Sequence, residues 1–404
     1  MKKIRIIRTL VISLMIMMLA PAPAQAAEVT GTLTNASGTF EVTGKWVKKS
    51  GKVFFRTSSV SKARGWLKIG KAVYYLKKNG SRVTGLAKIR GKYYYFRKNG
   101  KQRKGLIVIG GHTYYFDPED GGARTGEGTK VINGITYTFT KEGRTRVNTY
   151  DDNGTFYDGK GHAIQKATLT KLLKTAMKPV GQTMYIWGGG WNTSSSGGII
   201  ESTTIGVQPR WKAYFKKQNS SYDYRRTRWQ AHDGLDCSGY VAWVLYNTFN
   251  TESGFGSFLM GAQFMAKTYA NWGWGSFKSA RAFTDWRAGD IMSLASGHVY
   301  IVIGKCADGS VVLVHSSPKG VMINGTVSRS GKVKSKAWKL ARKYMMKYFP
   351  AWYAKYPDVS RGSSYLNSYG RMRWYLGRKK SVMSDPDGLR RKNAAQVLKV
   401  IFGE

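Results

Sequence analysis

Three side chains in the second half of the sequence have the types that nucleophilic thiol chemistry needs. Cys237 precedes an apolar stretch, and two histidines, His298 and His315, flank later apolar runs. An imidazole beside a cysteine can accept the thiol proton during attack on a carbonyl and return it to the leaving amine. A second imidazole can hydrogen-bond the far nitrogen of the first and fix its tautomer. We therefore predict Cys237 as nucleophile, His298 as base and His315 as the orienting residue.

The sequence around the cysteine predicts the start of a buried helix. Asp236 is a candidate N-cap, and the run from Val241 to Tyr246 is apolar. Unpaired amides and the helix dipole stabilise a thiolate in the first turn, so we expect a lowered pKa for Cys237, opposed in part by the Asp236 charge. Two alternatives stay open. Cys237 is an inert buried residue, or it forms a disulfide with Cys306, the other cysteine of the chain.

The two histidines are predicted to lie on one antiparallel hairpin. His298 stands at the start of its apolar run and His315 at the end of the next one. With a two-residue turn at Asp308-Gly309, the histidines are four residues out of register, roughly 13 Å apart at ~3.3 Å per residue. With a four-residue loop from Lys305 to Asp308, they stand opposite each other. We predict the four-residue loop, because only that register allows contact.

An aromatic repeat occupies residues 44–160, ahead of these elements. Its clear copies begin at the evenly spaced glycines Gly65, Gly85 and Gly105, and each continues to a pair of tyrosines such as Tyr74-Tyr75. Each copy predicts a short β-hairpin with glycine-containing turns. Because so small a unit cannot bury its aromatic face alone, neighbouring hairpins must stack into a solenoid.

The repeats resemble the choline-binding and glucan-binding repeat superfamily of Gram-positive surface proteins. That resemblance implies attachment to wall polymers. Trp46 and Trp66 fit an aromatic cage around a quaternary ammonium group, whereas Leu86 and Leu106 stand at the equivalent position of the next copies. The leucines argue against choline as the ligand. For any one tyrosine, a role in filling the solenoid core stays open.

The N-terminus and the charge predict the compartment. Residues 1–26 combine a basic start, an apolar run too short to span a bilayer, and Ala24-Gln25-Ala26, the order of a secretory signal peptide. The chain of 404 residues carries 66 Lys plus Arg against 22 Asp plus Glu, a net charge of +44. For an exported protein, the anionic polymers of a Gram-positive wall are the expected partner rather than nucleic acid. No later segment predicts a membrane span.

Five elements of the second half resemble, in order, the NlpC/p-sixty family of cell-wall cysteine peptidases. They are Tyr185-Ile186-Trp187-Gly188-Gly189, Asp236-Cys237-Ser238-Gly239-Tyr240, Gly289-Asp290, Gly297-His298-Val299 and His315. The resemblance implies an α+β, papain-like catalytic domain in residues 165–404, preceded by the β-hairpin solenoid. It also implies a Cys-His-polar triad at Cys237, His298 and His315, with Tyr185 on the oxyanion side. Beyond the family-like part, a helical extension is predicted, with helices at 340–348 and 386–402 and Asp385 as the cap of the second.

Three functions are compatible with these patterns. The first is a peptidoglycan endopeptidase that cleaves stem peptides between D-isoglutamate and the following diamino acid. The second is an N-acetylmuramoyl-L-alanine amidase with the same triad, and the third is a non-catalytic wall-binding protein with a degenerate peptidase fold. Neither a metal-ligand spacing nor a glycine-rich phosphate loop occurs, so no metal and no cofactor are predicted.

Overall fold

The computed structural model describes residues 27–191, 200–228, 232–249 and 256–404. The predicted signal peptide, residues 1–26, lies outside the described residues. Contacts divide the chain into two units: one holds the residues up to Ile107 and Tyr115–Thr125, and the other holds Val108–Tyr114 and Gly126–Glu404. None of the helices in the described ranges is long and apolar enough to cross a membrane.

Short antiparallel strands make up the repeat region. They are β1 (Val29–Asn35), β2 (Gly38–Lys49), β3 (Lys52–Thr57), β4 (Gly65–Ile69), β5 (Ala72–Leu76), β6 (Gly85–Ile89), β7 (Lys92–Phe96), β8 (Gln102–Arg103), β9 (Gly105–Ile109), β10 (His112–Asp117), β11 (Ala123–Arg124), β12 (Gly128–Ile132), β13 (Ile135–Phe139), β14 (Thr149–Tyr150), β15 (Phe156–Tyr157) and β16 (Ala163–Ile164).

The predicted hairpins are confirmed. β4 pairs with β5 and β6 with β7, and the register is the same in both copies: Trp66 faces Tyr75, and Leu86 faces Tyr95. The β6–β7 turn holds Arg90 at φ 47° and Gly91 at φ 84°. Two consecutive positive φ angles are typical of the two-residue turns whose twist matches that of paired strands. This explains why a glycine closes the turn.

The second unit continues with helices alternating with strands. Its elements are β17 (Ala167–Thr168), α1 (Leu169–Met177), α2 (Pro209–Lys217), α3 (Cys237–Phe249), α4 (Ala262–Asn271), β18 (Gly275–Lys278), β19 (Ile291–Leu294), β20 (His298–Lys305), β21 (Val311–Ser317), β22 (Gly320–Thr326), α5 (Lys336–Tyr348), α6 (Pro350–Lys355), β23 (Ser360–Arg361), α7 (Ser364–Asn367), β24 (Tyr369–Trp374), β25 (Met383–Ser384) and α8 (Ala394–Phe402).

A seven-stranded sheet organises this unit, in the order β18-β24-β19-β20-β21-β22-β23. Alternate residues of β20 serve two cores. Val299 and Ile301 belong to the larger core, which includes most of α3, whereas Tyr300 packs on the opposite face with Trp286 and Tyr369. The sheet is therefore covered on both faces, which explains why β20 and β21 are apolar almost throughout. The fold of the described residues is mixed α+β, as predicted.

The C-terminal segment differs from the predicted helical extension. β24 is inserted between β18 and β19, so the segment is part of the central sheet. The last helix begins at Ala394 rather than at 386, because Asn393 and Gln396 form its capping box. Asp385 instead accepts hydrogen bonds from the amides of Leu389 and Arg390, at 2.7 and 2.9 Å, in the turn before that helix.

Candidate functional site

Cys237 is the first residue of α3, and the predicted cap is confirmed. Oδ1 of Asp236 accepts hydrogen bonds from the amide of Gly239, at 2.6 Å, and from the hydroxyl of Ser238, at 2.8 Å. The carboxylate thus satisfies an otherwise unpaired donor of the first turn. Burial raises the pKa of Asp236 to about 6, against the lowering effect of these hydrogen bonds.

Glycines let the preceding loop pack directly on the start of the helix. A Cβ on Gly190 would collide with Cα of Gly239, and one on Gly239 would collide with the carbonyl oxygen of Gly189. The loop is also held by the indole of Trp191, which donates to Oγ of Ser238 at 3.2 Å. Gly190 and Gly239 are therefore needed for a backbone-to-backbone contact beside the cysteine.

The thiol is neutral in this environment, contrary to the lowered pKa expected from the helix start. Burial and, second, the Asp236 carboxylate raise the pKa of Cys237 to about 12, and nearby amides lower it by less. Desolvation of the thiolate thus outweighs the helix terminus. Sγ lies 3.9 Å from the carbonyl oxygen of Gly297, the neighbour of His298. Cys237 and Cys306 are both free, so the alternative of a disulfide is wrong for this structure.

The two histidines are in contact, as predicted. Nε2 of His298 lies 2.8 Å from Nδ1 of His315, and Nε2 of His315 lies 2.9 Å from Oδ1 of Asn324 on β22. If His315 donates from Nε2 to the amide oxygen, its Nδ1 accepts from His298, which leaves Nδ1 of His298 unprotonated. That arrangement makes His298 a base.

The contact is made in a register that the sequence did not predict. Ile301 pairs with Val314, and the pairing shifts by one residue before Gly304 pairs with Val312. His298 is therefore offset by two residues from the position opposite His315, and the imidazoles meet diagonally. The predicted four-residue loop is wrong, because Lys305 pairs with Val311 and five residues lie between them. The bulge in β20 then shifts the register by one residue, which returns the two histidines to the same face of the sheet.

Arg361 on β23 competes with Asn324 for the second histidine. Its Nε lies 3.2 Å from Nε2 of His315, and its Nη2 donates to Oγ of Ser317 at 2.9 Å. If Arg361 donates to Nε2 of His315, the proton of neutral His315 is on Nδ1. His315 then donates from Nδ1 to Nε2 of His298, and the proton of His298 is on its own Nδ1. His298 is not a base in that arrangement. Asn324 and Arg361 thus favour opposite tautomers.

Burial keeps both imidazoles neutral. It lowers the pKa of His298 to about 3, with a further lowering by the Arg361 charge. For His315, burial and Arg361 together hold the pKa well below its usual value. The rings of Tyr365 and Tyr369 stand 5.9 and 6.2 Å from that of His298. Burial raises the pKa of both tyrosines.

An open groove of about 500 Å³ reaches the cysteine, and Tyr185 lines it together with Cys237, Trp187 and Gln263. The Tyr185 side chain is largely buried, and its ring packs at 5.2 Å on that of Tyr224. Burial and the nearby Cys237 raise the pKa of Tyr185, so its phenol stays protonated. A protonated phenol in this groove can donate a hydrogen bond to an anionic oxygen.

The structure adds two site residues that the sequence analysis missed. Asn324 could have been found from the β21–β22 hairpin, since Leu313 pairs with Asn324 and His315 with Met322 in a regular ladder. Arg361 carries no such signal. It lies 46 residues after His315 and arrives on a strand that pairs parallel to β22.

The repeats form aromatic clusters at the two tryptophan positions. In the first cluster, the ring of Trp46 stands 5.2 Å from Phe55 and 4.9 Å from Tyr74. In the second, one repeat later in the chain, Trp66 stands 5.0 Å from Tyr75 and 4.9 Å from Tyr94. Each cluster combines a cross-strand pair with a tyrosine of the next hairpin. Three rings around one point are suited to a quaternary ammonium group.

Family comparisons identify this region. Residues 83–127 match the family model of the choline-binding repeat, and residues 65–81 match that of a cell wall binding repeat. The chain therefore carries choline-binding-type wall repeats, and these indicate association with the cell wall. A comparison with curated protein sequences gave no match.

Solved structures are similar to part of the chain. Choline-binding protein F from Streptococcus pneumoniae is 32% identical over 33% of this chain and 44% of its own, with a TM-score of 0.28. The pneumococcal cell wall endolysin from phage Cp-1, complexed with choline, is 25% identical over 30% of this chain and 36% of its own, with a TM-score of 0.21. The chain thus spans less than half the length of either. The resemblance of the second half to NlpC/p-sixty peptidases stays a prediction.

Proposed function

We propose that this protein is a secreted, wall-associated cysteine peptidase that hydrolyses a stem-peptide amide bond of peptidoglycan. The observation that carries the proposal is the hydrogen-bonded series Asn324–His315–His298. Its last member adjoins Gly297, whose carbonyl oxygen lies 3.9 Å from Sγ of Cys237 at an open groove. The matching repeats supply the attachment to the wall. Wall polymers that carry choline are the ligand that the aromatic clusters fit best, despite the leucines of the later copies.

The chemistry follows from the neutral state of the site. As Sγ of Cys237 attacks the amide carbon, His298 takes the thiol proton, and the developing oxyanion is stabilised by the phenol of Tyr185. The C–N bond then breaks while His298 protonates the leaving amine. Water hydrolyses the resulting thioester, which releases a carboxylate and restores the thiol. Nδ1 of His315 accepts a hydrogen bond from the transient imidazolium of His298, while Oδ1 of Asn324 accepts the hydrogen bond from Nε2 of His315.

A specific observation also favours the non-catalytic alternative. A buried thiol with a pKa of about 12 resembles an inert structural cysteine more than an activated thiolate. In the proposed enzyme, the thiol loses its proton to His298 only during attack on the amide carbon, when bound substrate excludes water. The amidase alternative needs the same residues and differs only in the bond that the groove presents.

The test is mass spectrometry of purified peptidoglycan after digestion by the protein and by Cys237→Ala. Cys306→Ala is the matched control, because it removes the other free, buried cysteine. Fragments that end in D-isoglutamate, made by the protein and the control but not by Cys237→Ala, support the endopeptidase. Glycan strands freed of intact stem peptides identify the amidase. An undigested wall with all three proteins favours the non-catalytic alternative.

A further inference from the structure

The two aromatic clusters differ in whether the chain supplies its own cation. The guanidinium carbon of Arg82 lies 5.2 Å from the ring centre of Trp46 in the first cluster. Among the described residues, no such cation contact involves Trp66, Tyr75 or Tyr94 of the second cluster. The position one repeat after Arg82 is Gln102, an uncharged side chain.

Arg82 and Gln102 occupy the same structural position in successive copies. Arg82 bridges to Leu76, the last residue of β5, and Gln102 pairs with Phe96, the last residue of β7. Each side chain lies against a glycine of the next turn: a Cβ on Gly100 would collide with Cδ of Arg82, and one on Gly122 would collide with Nε2 of Gln102. Arg82 and Gln102 are therefore equivalent residues of two repeats and can be compared directly.

The first cluster is also the more closed of the two. Trp46 and Trp66 are both half-buried, but Phe55 and Tyr74 of the first cluster are 3% and 7% exposed, whereas Tyr75 and Tyr94 of the second are half-buried. Nε of Arg82 is buried without a hydrogen-bond partner in the described structure. Nη2 of the same guanidinium donates to the carbonyl oxygen of Lys98 at 3.5 Å, so the group that lacks a hydrogen bond is Nε, and the face of Trp46 compensates for that loss.

We infer that Arg82 fills the first cluster as an internal cation, so that the second cluster, with Gln102, is the one open to a quaternary ammonium group. The inference rests on the proposed ligand of the repeats and concerns which cluster takes it. The residue at the position of Arg82 and Gln102 thus decides whether the aromatic cluster beside it binds an external cation. An intramolecular guanidinium is held in place and excludes a weak external ligand.

The test exchanges the two residues. Choline chloride is titrated calorimetrically into the full-length protein, Arg82→Gln, Gln102→Arg and the double exchange. We expect Arg82→Gln to add one binding site and Gln102→Arg to weaken binding at the second cluster by about tenfold or more, the scale of a partly desolvated cation–π contact. The double exchange should restore the original number of sites, now at the first cluster. In the double-exchange protein, Trp46→Leu should therefore remove choline binding, and Trp66→Leu should not.

A second measurement does not depend on the ligand. In the full-length protein, the Nε–H resonance of Arg82 is expected to be shifted by the ring current of Trp46 and to return to the usual Arg range in Trp46→Leu. An unshifted resonance, or unchanged stoichiometry in Arg82→Gln while the protein binds choline, overturns the inference. A shifted resonance together with no choline binding by any variant supports the internal cation and instead contradicts the proposed ligand.

Discussion

The second aromatic cluster and the candidate active site are positioned in different ways. All three rings of the cluster come from residues 66–94, and each contact follows from one hairpin register and one step of the repeat. The candidate site brings together Tyr185, Cys237 and Arg361, which reach it on separate elements of the second unit. The clusters can therefore change one copy at a time, whereas the site depends on one cooperative core.

This difference predicts how substitutions propagate. A change in one cluster alters one ligand position and leaves the next copy intact, because the contacts repeat locally. In the proposed enzyme, a change in the hydrogen-bonded histidines is expected to affect every turnover, since residues that act as a unit have effects that are not additive. Hydrolysis and wall binding can therefore be measured as a pair, with each region serving as the control for the other.

The largest effect is expected from the base. His298→Ala should lower kcat for muropeptide cleavage by about 10⁴-fold, because the proton acceptor is lost, and His315→Ala by about 10²-fold, because only its orientation is lost. Sedimentation with purified walls should be unchanged in both variants. Equal and complete loss of cleavage would show that the roles of the two histidines are misassigned. Loss of wall binding would contradict the separation of the two regions.

A smaller effect is expected from Arg361, which acts on the pH profile. Its charge lowers the pKa of His298, so Arg361→Met should move the acidic limb of kcat/KM to higher pH. It also removes the donor that favours the unproductive tautomer, and kcat at pH 8 should therefore stay within about threefold or rise.

Two variants separate the charge from the hydrogen bonds. Ser317→Ala removes a partner of Arg361 but keeps its charge, and should leave the acidic limb in place. Arg361→Lys should move it less than Arg361→Met. If the profile of Arg361→Met coincides with that of the unmodified protein, the arginine has only a structural role.

The parts of the site that could be predicted depend on local patterns. An acceptor before an apolar run predicts a capped helix wherever it occurs, and the structure places Asp236 as the cap of α3. Contact between His298 and His315 also followed from the strand pattern. The loop length did not follow from it. The loop is one residue longer than predicted, and the bulge near Gly304 keeps both histidines on the same face despite that extra residue.

Other features depend on long-range packing that no local pattern encodes. β24 enters the sheet between β18 and β19, although it is far from either in sequence. Its position could not be predicted, because any suitable strand could pair with the free edges of β18 and β19. The neutral thiol of Cys237 has the same origin. The helix start is a local feature that lowers the pKa, but the burial that raises it comes from elements distant in the chain.

The last expected effect is on stability rather than on activity, and it is a change of stability with pH at His315. Because its folded-state pKa lies well below the usual value of about 6.5, the unfolded chain binds the proton more strongly. The contribution of the neutral imidazole is therefore complete above pH 6.5 and is lost as the pH falls below it, by up to about 1.4 kcal/mol per pH unit. Urea unfolding of the protein and of His315→Gln, from pH 7.5 to 5, isolates this group from Asp236, whose raised pKa acts in the opposite direction. The stability difference between the two proteins should shift in favour of His315→Gln as the pH falls, and a constant difference would mean that His315 titrates as it does in the unfolded chain.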